Sequence, residues 1–230
     1  VARVAERVAR WHRPRRFEHA LGAYQLARQA LDLLAERGDL APFGPELRSD
    51  VRIAALLHDI GHYPFSHALE EIGALHHEEV ARPLIREGVI GDILREALGA
   101  EAPDRIVALI RGQSDSPLQG LISGSLDLDK IEYLKRDALM CGVPYGEIDA
   151  DRLLNSLTLI GGRIGILEKG LSAVESLLFA KYQMYRNVYW HHAVRSATAM
   201  YKRLVSDALD AGKLGAADLA GFTDEGLLLG

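Results

Sequence analysis

Residues 56–67 read LLHDIGHYPFSH, and the interpretation of the whole chain turns on this stretch. It places His58, Asp59, His62 and His67 directly after an apolar run, Val51–Leu57 (VRIAALL), that has the composition of a buried helix. With the helix continued, His58 and His62 share a face at i,i+4, and Asp59 sits three residues before His62. Imidazoles and a carboxylate gathered where a buried helix ends suit a borderline or hard divalent cation. A His-Asp pair also arises by chance and reads equally well as a capped helix end, so matching donors are needed elsewhere.

Working outward, six of the nine histidines fall in the first third of the chain: His19, His58, His62, His67, His76 and His77. His19 stands in RFEHALG at the start of a helical pattern, where it can face inward. Far downstream, Asp127 and Asp129 occur in LDLDKIEYLKRD. Asp129 shares a helix face with Leu126 and Tyr133, which predicts an inward carboxylate. A buried carboxylate needs a charged or hydrogen-bonding partner, and a metal ion is one.

Composition bounds the rest. The 230 residues are 48% apolar and 26% charged, enough for a real core in one large or two small domains. A net charge of −5 argues against a protein whose main role is to coat nucleic acid. The single cysteine, Cys141, excludes an internal disulfide framework and fits a reducing compartment. No apolar run approaches the roughly 20 residues that span a bilayer, and no signal peptide is visible, so the expected location is cytoplasmic. The first sixteen residues carry Arg3, Arg7, Arg10, Arg13, Arg15 and Arg16 against Glu6, either an anion-facing segment or a solvated helix face.

Helical periodicity dominates the chain. Ala2–Trp11 is predicted as a helix stopped at Pro14. Glu18–Arg37 is a second, with an apolar stripe of Leu21, Tyr24, Leu26, Leu31 and Leu34. The central helix runs from Leu47 to Asp59 with Ser49 or Asp50 as N-cap. After an extended turn at Tyr63–Phe65, helices follow at Ser66–Gly73, His76–Glu87, Ile90–Leu98 and Pro103–Arg111. LDLDKIEYLKRDALMC is a strong amphipathic helix ending at Cys141, and Asp149–Ser156 is a short one. Thr158–Ile166 (TLIGGRIGI) predicts a hairpin turning at Gly161-Gly162. Leu171–Tyr189 and Ala193–Ala211 are long helices. With no internal repeat and no dividing linker, the expected fold is a single all-α domain over residues 1–230 with one small β-hairpin.

Taken in order, RFEH (Arg16–His19), HDIGHYPFSH (His58–His67) and DLDKIEYLKRD (Asp127–Asp137) resemble the HD-domain metal-dependent phosphohydrolases. Within them they are most similar to the deoxynucleoside-triphosphate triphosphohydrolase, or dGTPase-like, branch. The likeness runs from about Arg16 to Leu204, and three motifs in this order are far more specific than a lone His-Asp pair. The resemblance implies an HD-domain helical bundle with its core at residues 16–141 and C-terminal helices at 149–221 completing the pocket. It implies four metal ligands, His19, His58, Asp59 and Asp129. Two imidazoles and two carboxylates are compatible with Mn²⁺, Mg²⁺, Fe²⁺, Co²⁺ or Zn²⁺.

The same resemblance assigns further roles. His77 of the His77-Glu78 pair is the proton donor to the leaving oxygen, with His76 a competing assignment one residue away. His62 and His67 line the phosphate path, although His67 alone reads equally as a core histidine. Arg16 and Lys130 contact phosphates. Tyr133 and Asp137 pack on the deoxyribose and bond its 3′-hydroxyl, where the bare residues suggest a core aromatic and a surface acid. KYQMYRNVYWHHAVRSA resembles a helix near the base pocket, with Tyr189 stacking on the base and Arg186 or His191 on phosphate; as an aromatic stripe it also reads as core. The implied reaction hydrolyses a dNTP to deoxynucleoside and triphosphate in a homo-oligomeric protein, with no membrane and with nucleic acid not favoured. An HD-type 5′-nucleotidase or nucleotide phosphodiesterase uses the same ligands. A non-catalytic nucleotide or nucleic-acid binding module is the alternative from another class.

Overall fold

The long N-terminal helix is the spine against which the other elements pack. The computed structural model describes residues 2–215, 218–221 and 223–229, with side chains from Arg16 onward except those of residues 221, 225, 228 and 229. Helix α1 spans Ala2–Glu36, and its buried edge is made of Ala23, Ala27, Ala30, Leu31 and Leu34. The expected stripe holds at Leu31 and Leu34, but Leu21 is 43% exposed and alanines take the inner positions. Small side chains let α2 (Pro45–Leu57) lie close against α1, with Val51, Ala54 and Ala55 facing it.

Two local expectations change. First, α1 continues through Pro14. A proline removes one backbone hydrogen bond, and good helix formers on both sides carry the helix past that loss. The side chains of Arg3, Arg7, Arg10, Arg13 and Arg15 lie outside the described residues. Second, α2 starts earlier than expected, with Gly44 as N-cap and Pro45 in the first turn, so Ser49 and Asp50 lie inside the helix. Asp50 is buried, and Arg105 forks onto it at 2.7 and 3.2 Å. That pair ties α2 to α5 (Ala102–Ile110) across α3 (His77–Arg86) and α4 (Gly88–Leu98).

Helix α6 (Leu128–Cys141) packs on the other side of α1, capped by the Asp127 carboxylate, which accepts from the Lys130 N–H. The short α7 (Ala150–Leu154) leads into β1 (Leu157–Ile160) and β2 (Arg163–Ile166), antiparallel with Ile160 opposite Arg163. Gly161 and Gly162 both have positive φ, 58° and 77°, as a primed hairpin turn requires. Helix α8 (Leu171–Met184) packs on α6 and ends in a π-helical turn, Tyr185–Tyr189, where a continuous α-helix was expected. α9 (His192–Asp210) and α10 (Asp224–Leu229) follow.

One core holds Leu34, Leu40, Leu109, Leu121, Leu134 and Leu153, each almost wholly buried. At roughly 1.5–3 kcal/mol per buried leucine, this cluster supplies the main cohesion between the first two thirds of the chain and α8. A smaller cluster of Tyr63, Leu69, Val80, Val205 and Leu219 joins the loop after α2 to α9. Among the described residues no helix is long and apolar enough to cross a membrane.

Candidate functional site

Helix α2 ends at Leu57, so His58 and Asp59 stand in the turn that follows, and His62 lies in the coil beyond. The i,i+4 face expected for His58 and His62 is therefore absent. The turn instead lets two adjacent residues aim the same way: His58 Nε2 is 3.1 Å from Asp59 Oδ1. His19 enters from α1 and Asp129 from the first turn of α6. His19 Nε2 lies 3.1 Å from Asp129 Oδ1, 3.4 Å from Asp59 Oδ2 and 3.3 Å from His58 Nε2. Asp129 Oδ1 is also 3.4 Å from His58 Nε2.

These spacings are those of ligands around one cation. Donor atoms about 2.1 Å from an ion stand about 3.0 Å apart at right angles and about 3.4 Å apart in a tetrahedron. The ring atoms facing away are also occupied as metal-binding imidazoles require. His58 Nδ1 donates to the Ala55 carbonyl at 2.9 Å, and His19 Nδ1 meets the Glu132 carboxylate. Glu132, one turn beyond Asp129 on α6, is in turn held by Arg136 at 2.7 Å. Gly22, one turn beyond His19 on α1, makes room for it: a Cβ there would collide with the Glu132 carboxylate. The residues present fit a divalent ion.

With no ion bound, the corner holds its charge balance with protons. Burial disfavours a charged His19, but the Asp129 and Glu132 carboxylates outweigh it and push its pKa up to about 10. His58 is raised for the same reason, against the same burial. Burial acts to raise Asp59 and Asp129, yet the facing imidazoles hold both below the usual carboxylate range. A divalent cation would take the place of those protons.

The corner opens into a cavity of about 660 Å³ bounded by α1, α6, α8, the π-helical turn and the start of α9. Asp59, Asp129 and His62 sit at its floor, and His67 on its wall. Arg16, Lys130, Arg136, Lys181 and Arg195 all reach it. Arg16 is a brace as well as a cation: it donates to the backbone carbonyls of Tyr63 at 2.9 Å and His62 at 3.4 Å, and pairs with Asp224 at 3.5 Å. Lys130 donates to the Gly124 carbonyl at 2.9 Å and pairs with Asp127 at 2.5 Å. Lys181 lies over the Tyr185 ring, 5.8 Å from its centroid.

Tyr133, Asp137 and Tyr189 form one group on the cavity wall. Tyr189 donates to Asp137 at 2.7 Å, and its ring lies 6.4 Å from that of Tyr133. Burial, and then the neighbouring acids and phenols, push both hydroxyls well above the usual phenol range, so they remain donors. The π-helical turn widens the helix where Tyr185 and Tyr189 face inward. Arg186 points elsewhere: it is exposed, donates to Tyr182 at 3.0 Å and does not reach the cavity; nor does His191, whose ring caps α9. A rotation of one residue in a π turn moves neighbours off the expected face, which brings Lys181, Tyr185 and Trp190 to the cavity in their place.

His77 stands one layer behind the wall. Its ring packs on His62 at 4.1 Å, and its Nδ1 bonds Glu70 Oε1 at 3.0 Å. Gly61 permits this approach, because a Cβ there would strike the backbone of His77 and Ala81. His67 Nδ1 reaches the same Glu70 oxygen at 3.1 Å, and His76 Nε2 its other oxygen at 3.3 Å. Between Tyr63 and His67 the chain takes two left-handed residues, Phe65 (φ 59°) and Ser66 (φ 58°), which cost on the order of 1–3 kcal/mol each. The C-terminal helices hold that turn. The Phe65 N–H donates to Asp224 at 3.0 Å, and the Tyr201 hydroxyl to the Pro64 carbonyl at 3.3 Å.

A helical core with two imidazoles and two carboxylates delivered by three separate helices is the arrangement of a metal-dependent HD fold. Residues 16–137 match the HD domain family and residues 148–229 match the HD associated region, and the chain belongs to the HD domain family. An uncharacterized protein of Methanocaldococcus jannaschii is 37% identical over 93% of this chain and 44% of its own length. A protein of Dictyostelium discoideum named as a deoxynucleoside triphosphate triphosphohydrolase SAMHD1 homolog is 28% identical over 84% of this chain and 40% of its own. A crystal structure titled as a phosphohydrolase from Bacteroides thetaiotaomicron superposes with a TM-score of 0.70 at 32% identity, covering 80% of this chain and 44% of that one. The chain thus spans a little under half the length of the relatives it matches.

The outer contacts were not foreseen from sequence. Glu132 and Arg136 lie inside the quoted LDLDKIEYLKRD motif, and the spacing Asp129–Glu132 puts both acids on one face, a signal that was present. Asp224 had no such signal. Its role depends on a contact 159 residues away in the chain.

Proposed function

We propose that this chain carries the catalytic centre of a metal-dependent phosphohydrolase that cleaves deoxynucleoside triphosphates at the α-phosphorus, releasing deoxynucleoside and triphosphate. One observation carries the reading: a four-ligand corner opens into a cavity with five cationic side chains beside a hydrogen-bonded Tyr189–Asp137 pair. A triphosphate brings the charge that such a cavity answers, and a phenol–carboxylate pair suits a sugar hydroxyl. The names of the Dictyostelium relative and the Bacteroides structure point to the same chemistry.

His19, His58, Asp59 and Asp129 would hold the cation, which supplies Lewis-acid charge at the reacting phosphoryl group. Lys181 and Arg195 face the triphosphate, and Arg16 and Lys130 add positive field while bracing the walls. Water attacks the α-phosphorus, the bond to the 5′-oxygen breaks, and that oxygen needs a proton. His67, on the cavity wall with Glu70 behind it, delivers the proton; His77, sharing the same carboxylate, orients the pair from the second layer. Tyr133 and Tyr189, kept protonated by burial, pack on the sugar and base.

The test is a product assay on each dNTP with Mn²⁺ or Mg²⁺. Tripolyphosphate is the expected product. Orthophosphate or pyrophosphate release, or turnover of monophosphates alone, would replace this reading with a nucleotidase or diesterase.

A further inference from the structure

Next to the four-ligand corner lies a second group of donors that a single cation does not use. His62, His67 and His77 each bring one ring nitrogen within 4.8 Å of the other two. Their ring centroids are 4.6, 4.1 and 5.0 Å apart. Glu70 Oε1 bonds Nδ1 of both His67 and His77, at 3.1 and 3.0 Å. This repeats the arrangement at the first corner, where Glu132 holds His19 Nδ1 and a backbone carbonyl holds His58 Nδ1. A carboxylate on one ring nitrogen fixes the tautomer and leaves the opposite nitrogen as an electron-pair donor. The third member, His62, has a buried Nδ1 with no hydrogen-bond partner among the described residues; Asp59 Oδ1 is 3.7 Å away, too far to bond.

We infer that His62, His67 and His77 form a second metal site, selective for a borderline transition-metal ion such as Zn²⁺, and that filling it switches turnover off. Three imidazoles with an open fourth position suit Zn²⁺, Co²⁺ or Ni²⁺ and are poor ligands for Mg²⁺ and Ca²⁺, which favour oxygen. The first corner, with two carboxylates, accepts the harder ions. The open side of the second site is the cavity, since His67 is 62% exposed there. An imidazole whose lone pair is on an ion has none with which to carry a proton. The inhibitory consequence rests on the proposed hydrolase reading; the binding site itself does not.

The test loads the full chain with Mn²⁺, adds Zn²⁺ or Co²⁺, and counts bound metal by elemental analysis alongside the visible absorption of Co²⁺. Two ions per wild-type chain are expected. Asp129→Ala should keep a Zn²⁺ at the imidazole trio, while His67→Ala, a change at an exposed position, should lose one ion and retain the other. In the Mn²⁺ enzyme, one equivalent of Zn²⁺ should cut dNTP turnover at least about tenfold, the scale on which general acid–base help is lost. One ion per chain, or a second ion that survives both His67→Ala and His77→Ala, overturns the site. A rate that rises with the second ion overturns the switch. A chain that binds two ions and hydrolyses no dNTP would refute the hydrolase reading and leave the site standing.

Discussion

The two histidine groups differ in how the chain builds them, and that difference decides what each can do. The first corner draws His19 from α1, His58 and Asp59 from the turn after α2, and Asp129 from α6, with partners up to 110 residues apart in sequence. It mixes nitrogen with oxygen donors and is buried. The second takes His62, His67, Glu70 and His77 from one short stretch and opens to solvent. Long-range assembly fixes the first by the packing of three helices, so its geometry is as rigid as the core. The local group depends on a strained turn that only α9 and α10 hold in place. A shared carboxylate and nearby charge make imidazoles titrate in opposite directions in the two places: His19 is raised to about 10, whereas burial, only partly countered by Asp59, drives His62 down to about 3.

The comparison is broken most severely at the first corner. His58→Ala or Asp129→Ala should abolish metal retention and turnover together, measured by elemental analysis and product release. His67→Ala should leave the metal at the first corner and slow dNTP hydrolysis by ~10²–10⁴-fold. Loss of that metal as well would mean the two groups are one site. Glu132→Gln acts through His19, and a cost of about 10–100-fold in metal affinity is expected, with Gly22→Ala giving a similar loss by displacing Glu132. A titration of bound Mn²⁺ reads both.

Smaller effects sharpen the contrast. Asp224→Ala removes the acceptor for Phe65 and Arg16, and should lower stability by about 1–3 kcal/mol in a denaturant melt while metal affinity at the first corner stays unchanged. In the ion-free protein, His19 binds its proton more tightly folded than unfolded. Its stabilising contribution is complete below about pH 6.5 and is lost as pH rises through about 10. His62 has the reverse sign: its folded form resists protonation, so stability falls as pH drops from about 6.5 towards 3. Melting temperature should therefore peak near neutrality. Saturating Mn²⁺ should flatten the alkaline limb alone, because the ion already demands a neutral His19. An unchanged alkaline limb would place the ion elsewhere.

Much of the centre was legible in the chain because its donors sit in recognisable local patterns. The His-Asp pair after an apolar run, His19 in a helical start and Asp129 on an inward face are each short-range facts, and a helix period suffices to orient them. The hairpin at Gly161-Gly162 is legible for the same reason, since two adjacent glycines permit the left-handed turn that joins β1 to β2. Periodicity overreached where backbone geometry departs from the ideal helix. His58 and His62 do not share a face because α2 stops at Leu57, and Arg186 leaves the cavity because a π turn rotates it away.

What the sequence determined by itself was the helical class, the hairpin and the identity of the donors, all set by residue type and spacing within one element. The tertiary structure alone decided which atoms meet: Glu132 behind His19, Arg16 and Asp224 bracing the Phe65–Ser66 turn, and His67 rather than His77 facing the cavity. Those contacts join residues separated by up to about two hundred positions, and their existence depends on how helices pack. Packing is settled by the whole core at once, which no local pattern encodes.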